Sequence, residues 1–236
     1  MRILFIIGSL REGGAEGQLL LLMRGLRAKG HEVAVMLLRY EGRRLQGAED
    51  EGFHIFDARV PKFRDSLSPL PLLQIKATRL RSTAFLKEFK PDLIHAHLFW
   101  AHYWGSLILA DDPNTPFVTS RLQMWRADTK PFLERILENR VNKRVDCVIA
   151  NAQSVADSCL THEKNLSGKI EVIYNGIDLE VIDAATPRAS NASDPNCEQI
   201  AIVNVANLHP LKGHDDLMAA HRLIRKAKPG TQLHLA

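Results

Sequence analysis

Two histidines separated by one residue lie at the end of a short apolar run. His95 and His97 end the segment 91–97, in which we predict a buried strand at 92–97. Residues i and i+2 of a strand face the same side, so the pair could bind a metal or hydrogen-bond a hydroxyl-rich substrate. Only the isolated His102 lies nearby as a further ligand. We therefore predict no metal and expect His97 to contact substrate, whereas His95 fits a core histidine with satisfied hydrogen bonds better.

A glycine-containing loop follows the first apolar run. Gly13 and Gly14 precede a helix predicted over residues 16–29. Glycines let a backbone approach a ligand closely, and the first N–H groups of a helix attract anions. The spacing differs from the G-x-G-x-x-G pattern of dinucleotide-binding proteins. The residues alone leave two interpretations equally open, an anion site and a plain strand–helix turn in which Glu16 favours the helix dipole.

Two further motifs lie later in the chain. Residues 172–178 read VIYNGID, an Asn-Gly turn after a strand, with Asp178 placed to cap a short helix. Lys212 lies beside a glycine and a predicted helix start, where it could neutralise a diphosphate. By themselves, the residues favour a plain turn for the first motif and a surface lysine for the second.

The elements that must position these residues alternate along the chain. Short apolar runs rich in β-branched residues alternate with helical patterns, which predicts a parallel sheet covered on both faces, a doubly wound Rossmann-like domain. Strands are predicted at 2–7, 32–38, 54–57, 92–97, 117–120, 147–151 and 169–174, and helices at 16–29, 71–89, 99–110, 131–144 and 154–162. Residues 39–52 and 59–71 are predicted to be loops.

The composition changes near residue 184. Residues 184–198 are small, polar and proline-containing, which predicts a linker between a first domain at 1–183 and a second at 199–236. A strand at 199–205, a helix at 215–227 and a strand at 232–236 form the first βαβ unit of a second Rossmann-like domain. So few residues cannot close a core of their own, and we expect this domain to be truncated.

Composition and charge exclude several classes of protein. The net charge of +4 permits a phosphate-bearing ligand but is too small to argue for nucleic-acid binding. The three cysteines show no C-x-x-C spacing, which is typical of a reducing compartment. No apolar run approaches the ~18–20 residues that cross a bilayer. We expect a cytoplasmic protein.

Five motifs in register carry a family resemblance. They read GGAE at 13–16 with KGHEV at 29–33, PDLIHAH at 91–97, VIANAQSV at 148–155, VIYNGID at 172–178 and ANLHPLKGHDDLMAAHRLI at 206–224. In this order they resemble the family 4 retaining glycosyltransferases of the GT-B fold. The resemblance covers nearly the whole chain.

The resemblance implies transfer of a sugar from a nucleoside diphosphate-sugar to an acceptor, with retention and without a catalytic metal or other cofactor. The acceptor would be a polysaccharide or lipid-linked glycan precursor, held by the domain at 1–183. Gly13 and Gly14 would approach the donor diphosphate or the acceptor, and His97 would face the transferred sugar. Lys212 would hold the diphosphate as negative charge develops on it.

The remaining motif residues receive weaker roles from the resemblance. Asn175, Gly176 and Asp178 look structural. The family often has an arginine at the position of Asn207, whereas some members carry it two residues later, where His209 stands. Arg121 could supply the missing charge if its side chain reaches the ligand.

The larger departure from the family concerns a carboxylate segment, E-x7-E, that contacts the donor. It should lie several tens of residues beyond Lys212, past the last residue, Ala236. We therefore expect a fragment with little activity of its own. The alternatives are a non-catalytic acceptor-binding module, or half of a split transferase. An unrelated nicotinamide-dependent enzyme is disfavoured, since an acidic residue is missing after the second strand.

A basic segment leaves membrane contact open. Residues 59–90 contain eight lysines and arginines against Asp65 and Glu88, with leucines interleaved. Such a segment can lie on anionic lipid at the inner face of the membrane, or form the solvated face of an ordinary helix.

Overall fold

The computed structural model describes residues 1–61, 70–124, 132–185, 200–206, 208 and 210–236. The strands are β1 (Arg2–Ile7), β2 (Glu32–Leu37), β3 (His54–Asp57), β4 (Leu93–His97), β5 (Phe117–Arg121), β6 (Cys147–Ala150), β7 (Ile170–Val172), β8 (Ala201–Asn204) and β9 (Gln232–Leu235). The helices are α1 (Gly14–Ala28), α2 (Leu45–Asp50), α3 (Leu70–Phe89), α4 (Phe99–Ile108), α5 (Phe132–Arg144), α6 (Gln153–His162), α7 (Leu179–Ala185) and α8 (His214–Ala227).

Within the described residues, seven parallel strands form the sheet of the first compact unit, Met1–Leu179. Their order is β3-β2-β1-β4-β5-β6-β7, which confirms the predicted doubly wound arrangement. The order reverses direction between β1 and β4. Ligands of open α/β sheets bind at such a switch point, outside the carboxyl ends of the strands. The loop that carries Gly13 follows β1, and His97 is the last residue of β4, so both lie at this point.

The two faces of the sheet are covered differently. Alternate residues of the strands pack against α3, α4, α5 and α6 on one face, around Ile6, Ile94 and Phe117. On the other face, Phe5 and Val35 pack against α1 and α2. Among the described helices, the core contacts of α1 and α2 lie over β1, β2 and β3. On the same face, the part of the sheet formed by β4–β7 lines a cavity.

The predicted loop at 39–52 contains a helix, α2, that the sequence did not reveal. α2 has six residues, and only Ala48 is buried. A helix this short with one buried residue produces no apolar periodicity to detect.

The second compact unit, Glu180–Ala236, is described separately. Its strands β8 and β9 pair in parallel, and α8 connects them. This is the predicted βαβ start of a second Rossmann-like domain. Of the predicted linker at 184–198, all residues beyond 185 lie outside the described residues, so the linker stays a prediction.

Candidate functional site

A cavity of about 380 Å³ lies in the first unit on the α1 face of the sheet, which we call the His97 cavity. Helix α1 contributes one wall, with Leu22 and Leu26. The opposite wall comes from the carboxyl halves of β4–β7 and the loops after them, with polar residues at His95, His97, Ser120, Asn151 and Asn175. Because strand side chains alternate between faces, His95 and His97 point to the same side, as predicted.

His95 has the properties expected of a core histidine. Its ring is buried, and Nε2 lies 2.8 Å from Oγ of Ser120 on the neighbouring strand. Burial, together with the adjacent His97, holds the pKa of His95 well below its usual value. His95 is therefore neutral and its hydrogen bond is structural.

His97 is buried but lacks such a partner. Only 4% of its surface is exposed, and its ring packs against those of Phe5 and His95, at centroid distances of 5.9 and 4.3 Å. Within the described residues, neither Nδ1 nor Nε2 of His97 has a hydrogen-bond partner. Burial lowers the pKa of His97 to about 4. At neutral pH the imidazole is uncharged, so it offers one N–H donor and one acceptor, a set that suits a hydroxyl group.

Asn151 is a second residue with an unsatisfied buried atom at the same cavity. Its Nδ2 donates to the carbonyl of Leu122 over 3.3 Å, whereas its Oδ1 is buried with no partner among the described residues. Buried polar atoms without partners are rare in folded proteins and call for an explanation. The family motif at 148–155 contains Asn151, but the sequence alone did not single it out as a site residue; its position at the carboxyl end of a predicted strand was the available signal.

The Asn-Gly turn closes one end of the cavity. The carbonyl of Gly176 accepts a hydrogen bond of 2.8 Å from Nε2 of Gln18 on α1, and Asn175 lines the cavity. α7 begins directly after Asp178, where a short helix was predicted. This bond thus connects the turn after β7 to α1, and the structural role of Asn175, Gly176 and Asp178 stays a prediction.

Gly13 and Gly14 lie at the start of α1 and do not line the cavity. Gly13 is the extended residue before the helix, no side chain caps this end, and the Glu16 carboxylate occupies the space that a Gly13 side chain would need. The loop 8–13 is held by the loop after β2, because Leu10 exchanges backbone hydrogen bonds of 3.0 Å with Glu41 and Arg44. The anion-binding role of the glycines stays a prediction.

Arg121 lies on the opposite face of the sheet from His97. Its guanidinium is buried and contacts Glu163 (3.0 and 3.3 Å), Asn142 (2.9 Å) and His102 (2.9 Å), and Glu138 lies 3.7 Å away. We call these five residues the Arg121 cluster. Burial acts to lower the pKa of Arg121, but the charges and hydrogen bonds of the carboxylates outweigh it and raise that pKa. Because the charge of Arg121 is engaged by protein carboxylates, the geometry favours a structural role over the predicted donor contact.

The other predicted donor-binding residues belong to the second unit. Lys212 is exposed and ends a 3-10 turn, Pro210–Lys212, directly before α8. Gly213 follows at φ 66°, a left-handed conformation that glycine adopts without strain. Asn207 and His209 lie outside the described residues.

Metal binding and membrane crossing find no support in the described part of the chain. No three or more His, Cys, Asp or Glu side chains there are grouped so that they could hold a metal ion. None of the described helices is both long and apolar enough to cross a bilayer.

The sheet order and the βαβ start of a second unit define an α/β protein of the GT-B type. Two solved structures share this fold. The Anabaena protein Alr3699/HepE, in complex with UDP and glucose, matches with a TM-score of 0.73 and 21% identity over 100% of this chain and 60% of its own. Sucrose-phosphate synthase from Thermosynechococcus elongatus matches with a TM-score of 0.69 and 15% identity over 100% and 62%.

The family follows from sequence comparison. The family model described as Glycosyltransferase Family 4 matches residues 12–181, and the chain belongs to this family. D-inositol 3-phosphate glycosyltransferase from Segniliparus rotundus is 28% identical over 70% of this chain and 39% of its own length. The same-named protein from Mycolicibacterium gilvum is 27% identical over 66% and 37%. The chain thus spans well under half the length of these curated relatives.

Proposed function

We propose that the protein transfers a sugar from a nucleoside diphosphate-sugar to an acceptor hydroxyl, with retention of configuration and without a metal. In this reaction the bond between the anomeric carbon and the diphosphate oxygen breaks, and the nucleoside diphosphate leaves with the electron pair. The acceptor oxygen forms the glycosidic bond as its hydroxyl gives up its proton. The donor proposed is a UDP-sugar, because the Anabaena neighbour was solved with UDP-glucose. The observation that carries the proposal is the His97 cavity, where buried atoms of His97 and Asn151 lack partners among the described residues.

The chemistry of these two side chains suits a sugar rather than a phosphate. A neutral imidazole and an amide oxygen can hydrogen-bond hydroxyl groups, and neither supplies positive charge. Charge that develops on the diphosphate must therefore be met elsewhere. In this proposal Lys212 holds the diphosphate electrostatically, Asn207 and His209 bind donor or acceptor, and the backbone at Gly13 and Gly14 contacts donor or acceptor.

The acceptor is proposed at the level of its chemical class. A polysaccharide or lipid-linked glycan precursor is the acceptor predicted from the sequence. The names of the curated relatives favour a second class, a phosphorylated cyclitol. Both classes of acceptor present hydroxyl groups. The phosphate group of the cyclitol distinguishes it from a polysaccharide. The contact of residues 59–90 with an anionic membrane also stays a proposal.

The test measures UDP-glucose binding by calorimetry, with His97→Gln compared with His234→Gln. His234 is a histidine of the second unit, on β9, and serves as the matched control. We expect His97→Gln to weaken binding by about three- to tenfold, as the loss of one hydrogen bond predicts, and the control to leave it unchanged. Equal affinity in both variants would remove His97 from the site.

A turnover assay separates the transferase from its alternatives. UDP release from UDP-glucose is followed with each acceptor class, and the anomeric configuration of the product is read by proton NMR. A retained product supports the proposal, whereas an inverted product contradicts it. Acceptor binding without UDP release and without UDP-glucose binding would instead favour a non-catalytic module, and turnover that requires a second chain would favour a split enzyme.

A further inference from the structure

A second groove lies at the edge of the sheet opposite the candidate site. Its volume is about 1060 Å³, and it runs between α3 and the residues at the amino ends of β1 and β4. Arg2 and Asp92 line one wall, and residues of α3 line the other. Because β4 begins at this groove and ends with His97 at the cavity, the length of that strand separates the groove from the cavity.

Helix α3 presents apolar residues on two faces. Phe85, Leu86 and Phe89 are buried in the core. The outer face carries a stripe at Lys76, Leu80, Thr83 and Lys87, whose spacing of four, three and four residues places them in one row that lines the groove. Leu80 is 72% exposed, and Leu73, two turns earlier in the same row, is 66% exposed. These two leucines therefore do not pack in the core of this protein.

The groove carries an excess of positive charge. Lys76, Lys87 and Lys90 line it, and none of them has an acidic partner among the described residues. The two carboxylates at the groove are already engaged. Asp92 accepts the backbone N–H of Arg2 over 2.7 Å, and this bond is the main cause of its lowered pKa. Asp112 accepts a hydrogen bond of 2.6 Å from the Thr115 hydroxyl.

We propose that this outer face, which we call the α3 surface (Leu73, Lys76, Leu80, Lys87 and Lys90), docks on an anionic phospholipid bilayer. The lysines contact lipid phosphates, and the leucines enter the boundary between headgroups and acyl chains. The inference rests on the proposed membrane contact of residues 59–90 and assigns the residues that make it. A small soluble anion would meet the positive charge, but it would give no role to two exposed leucines in the same row.

The test is co-sedimentation of the full chain with vesicles of phosphatidylglycerol and phosphatidylcholine, or of phosphatidylcholine alone, at low and high salt. We expect binding to the anionic vesicles only. Lys76→Gln/Lys87→Gln should weaken it by about tenfold or more, as the loss of two lysines near an anionic surface predicts. The control, Lys143→Gln/Lys164→Gln, removes the same charge from exposed lysines elsewhere on the first unit and should change binding by less than about twofold.

The role of the leucines is tested separately. Leu80→Ser keeps the charge, and it should weaken vesicle binding at both salt concentrations, because apolar insertion is not screened. Equal loss in both lysine pairs, or binding to neutral vesicles, would overturn the proposal. If soluble heparin binds equally well and Leu80→Ser has no effect, the groove is a site for polyanions instead. UDP-glucose binding in the same variants should stay unchanged, so failure here is distinguishable from failure of the transferase proposal.

Discussion

The His97 cavity and the Arg121 cluster lie at the carboxyl ends of neighbouring strands, on opposite faces of one sheet. Both consist of buried polar side chains. In the Arg121 cluster the guanidinium contacts groups from α4, α5 and the end of α6. In the cavity, His97 and the Oδ1 of Asn151 have no partners among the described residues.

The difference separates a structural polar group from one suited to a ligand. Burial of a polar atom costs free energy unless a hydrogen bond replaces its contact with water. The Arg121 cluster satisfies this requirement within the protein. The cavity does not, so a ligand hydroxyl bound there could make the hydrogen bonds that the described residues leave unmade.

The largest effect on stability is expected when the Arg121 cluster is broken. Arg121→Ala leaves Glu163 and Glu138 buried without their cation, and we expect the free energy of unfolding to fall by about 3–5 kcal/mol. Urea unfolding at neutral pH measures this. The control is Arg11→Ala, which removes an exposed ion pair with Glu41 and should cost less than about 1 kcal/mol. Similar losses in the two variants would contradict the structural role of the cluster.

The next effect is the pH dependence of stability that His97 causes. The pKa of His97 is about 4 in the folded protein, whereas its ordinary value, which the unfolded chain keeps, is 6.5. Since the unfolded chain binds the proton more tightly, stability is fully present above pH 6.5 and falls as the pH decreases towards 4. At about pH 5 the loss from this one group is about 2 kcal/mol. His95, whose pKa is lowered too, acts in the same direction.

Urea unfolding at neutral and at acidic pH, repeated for His97→Gln, measures this contribution. The variant should lose less stability on acidification than the parent protein. If the variant and the parent protein lost the same stability between the two pH values, His97 would not titrate as a buried neutral histidine.

Much of the fold was predictable because the apolar runs of strands and the apolar periodicity of helices are local patterns that alternate along the chain. Every strand predicted before residue 184 forms, and the order of the strands confirms the predicted doubly wound sheet. The choice of His97 over His95 as the histidine without a core partner agrees with the hydrogen bonds of the described residues. What decides it is Ser120, which lies on the neighbouring strand and is reached only through the pairing of β4 with β5.

The location of Arg121 shows where local signals end. The predicted strand ended at Ser120, whereas β5 continues for one more residue. That residue is Arg121. Because side chains alternate along a strand, its side chain lies on the face covered by α4–α6. Its partners Asn142 and Glu163 lie 21 and 42 residues away. No pattern in the sequence relates these positions, so the cluster could not be foreseen.

A smaller effect is expected from the bond that distinguishes His95 from His97. Ser120→Ala removes the hydroxyl 2.8 Å from Nε2 of His95 and leaves a buried nitrogen without a partner. We expect a loss of about 1.5 kcal/mol in the free energy of unfolding. Ser106→Ala, in which the lost hydroxyl donates to a carbonyl in its own half-buried helix, is the control and should cost less. A Ser120 variant as stable as the parent would mean that His95 is no better satisfied than His97.

The smallest effect is expected for Asn151, and Asn142 in the Arg121 cluster is the residue to compare with it. The amide of Asn142 accepts from Arg121 and donates to Glu163 and to the carbonyl of Lys164, at 2.9, 3.0 and 3.2 Å. Asn151 has only the 3.3 Å bond to Leu122 among the described residues. We therefore expect Asn151→Ala to cost about 0.5 kcal/mol or less in the free energy of unfolding, whereas Asn142→Ala costs at least about 2 kcal/mol, because it leaves charged groups under-bonded. If the two losses were equal, the unsatisfied oxygen of Asn151 would be part of the fold, and the cavity would lose one of the two residues that suit it to a sugar.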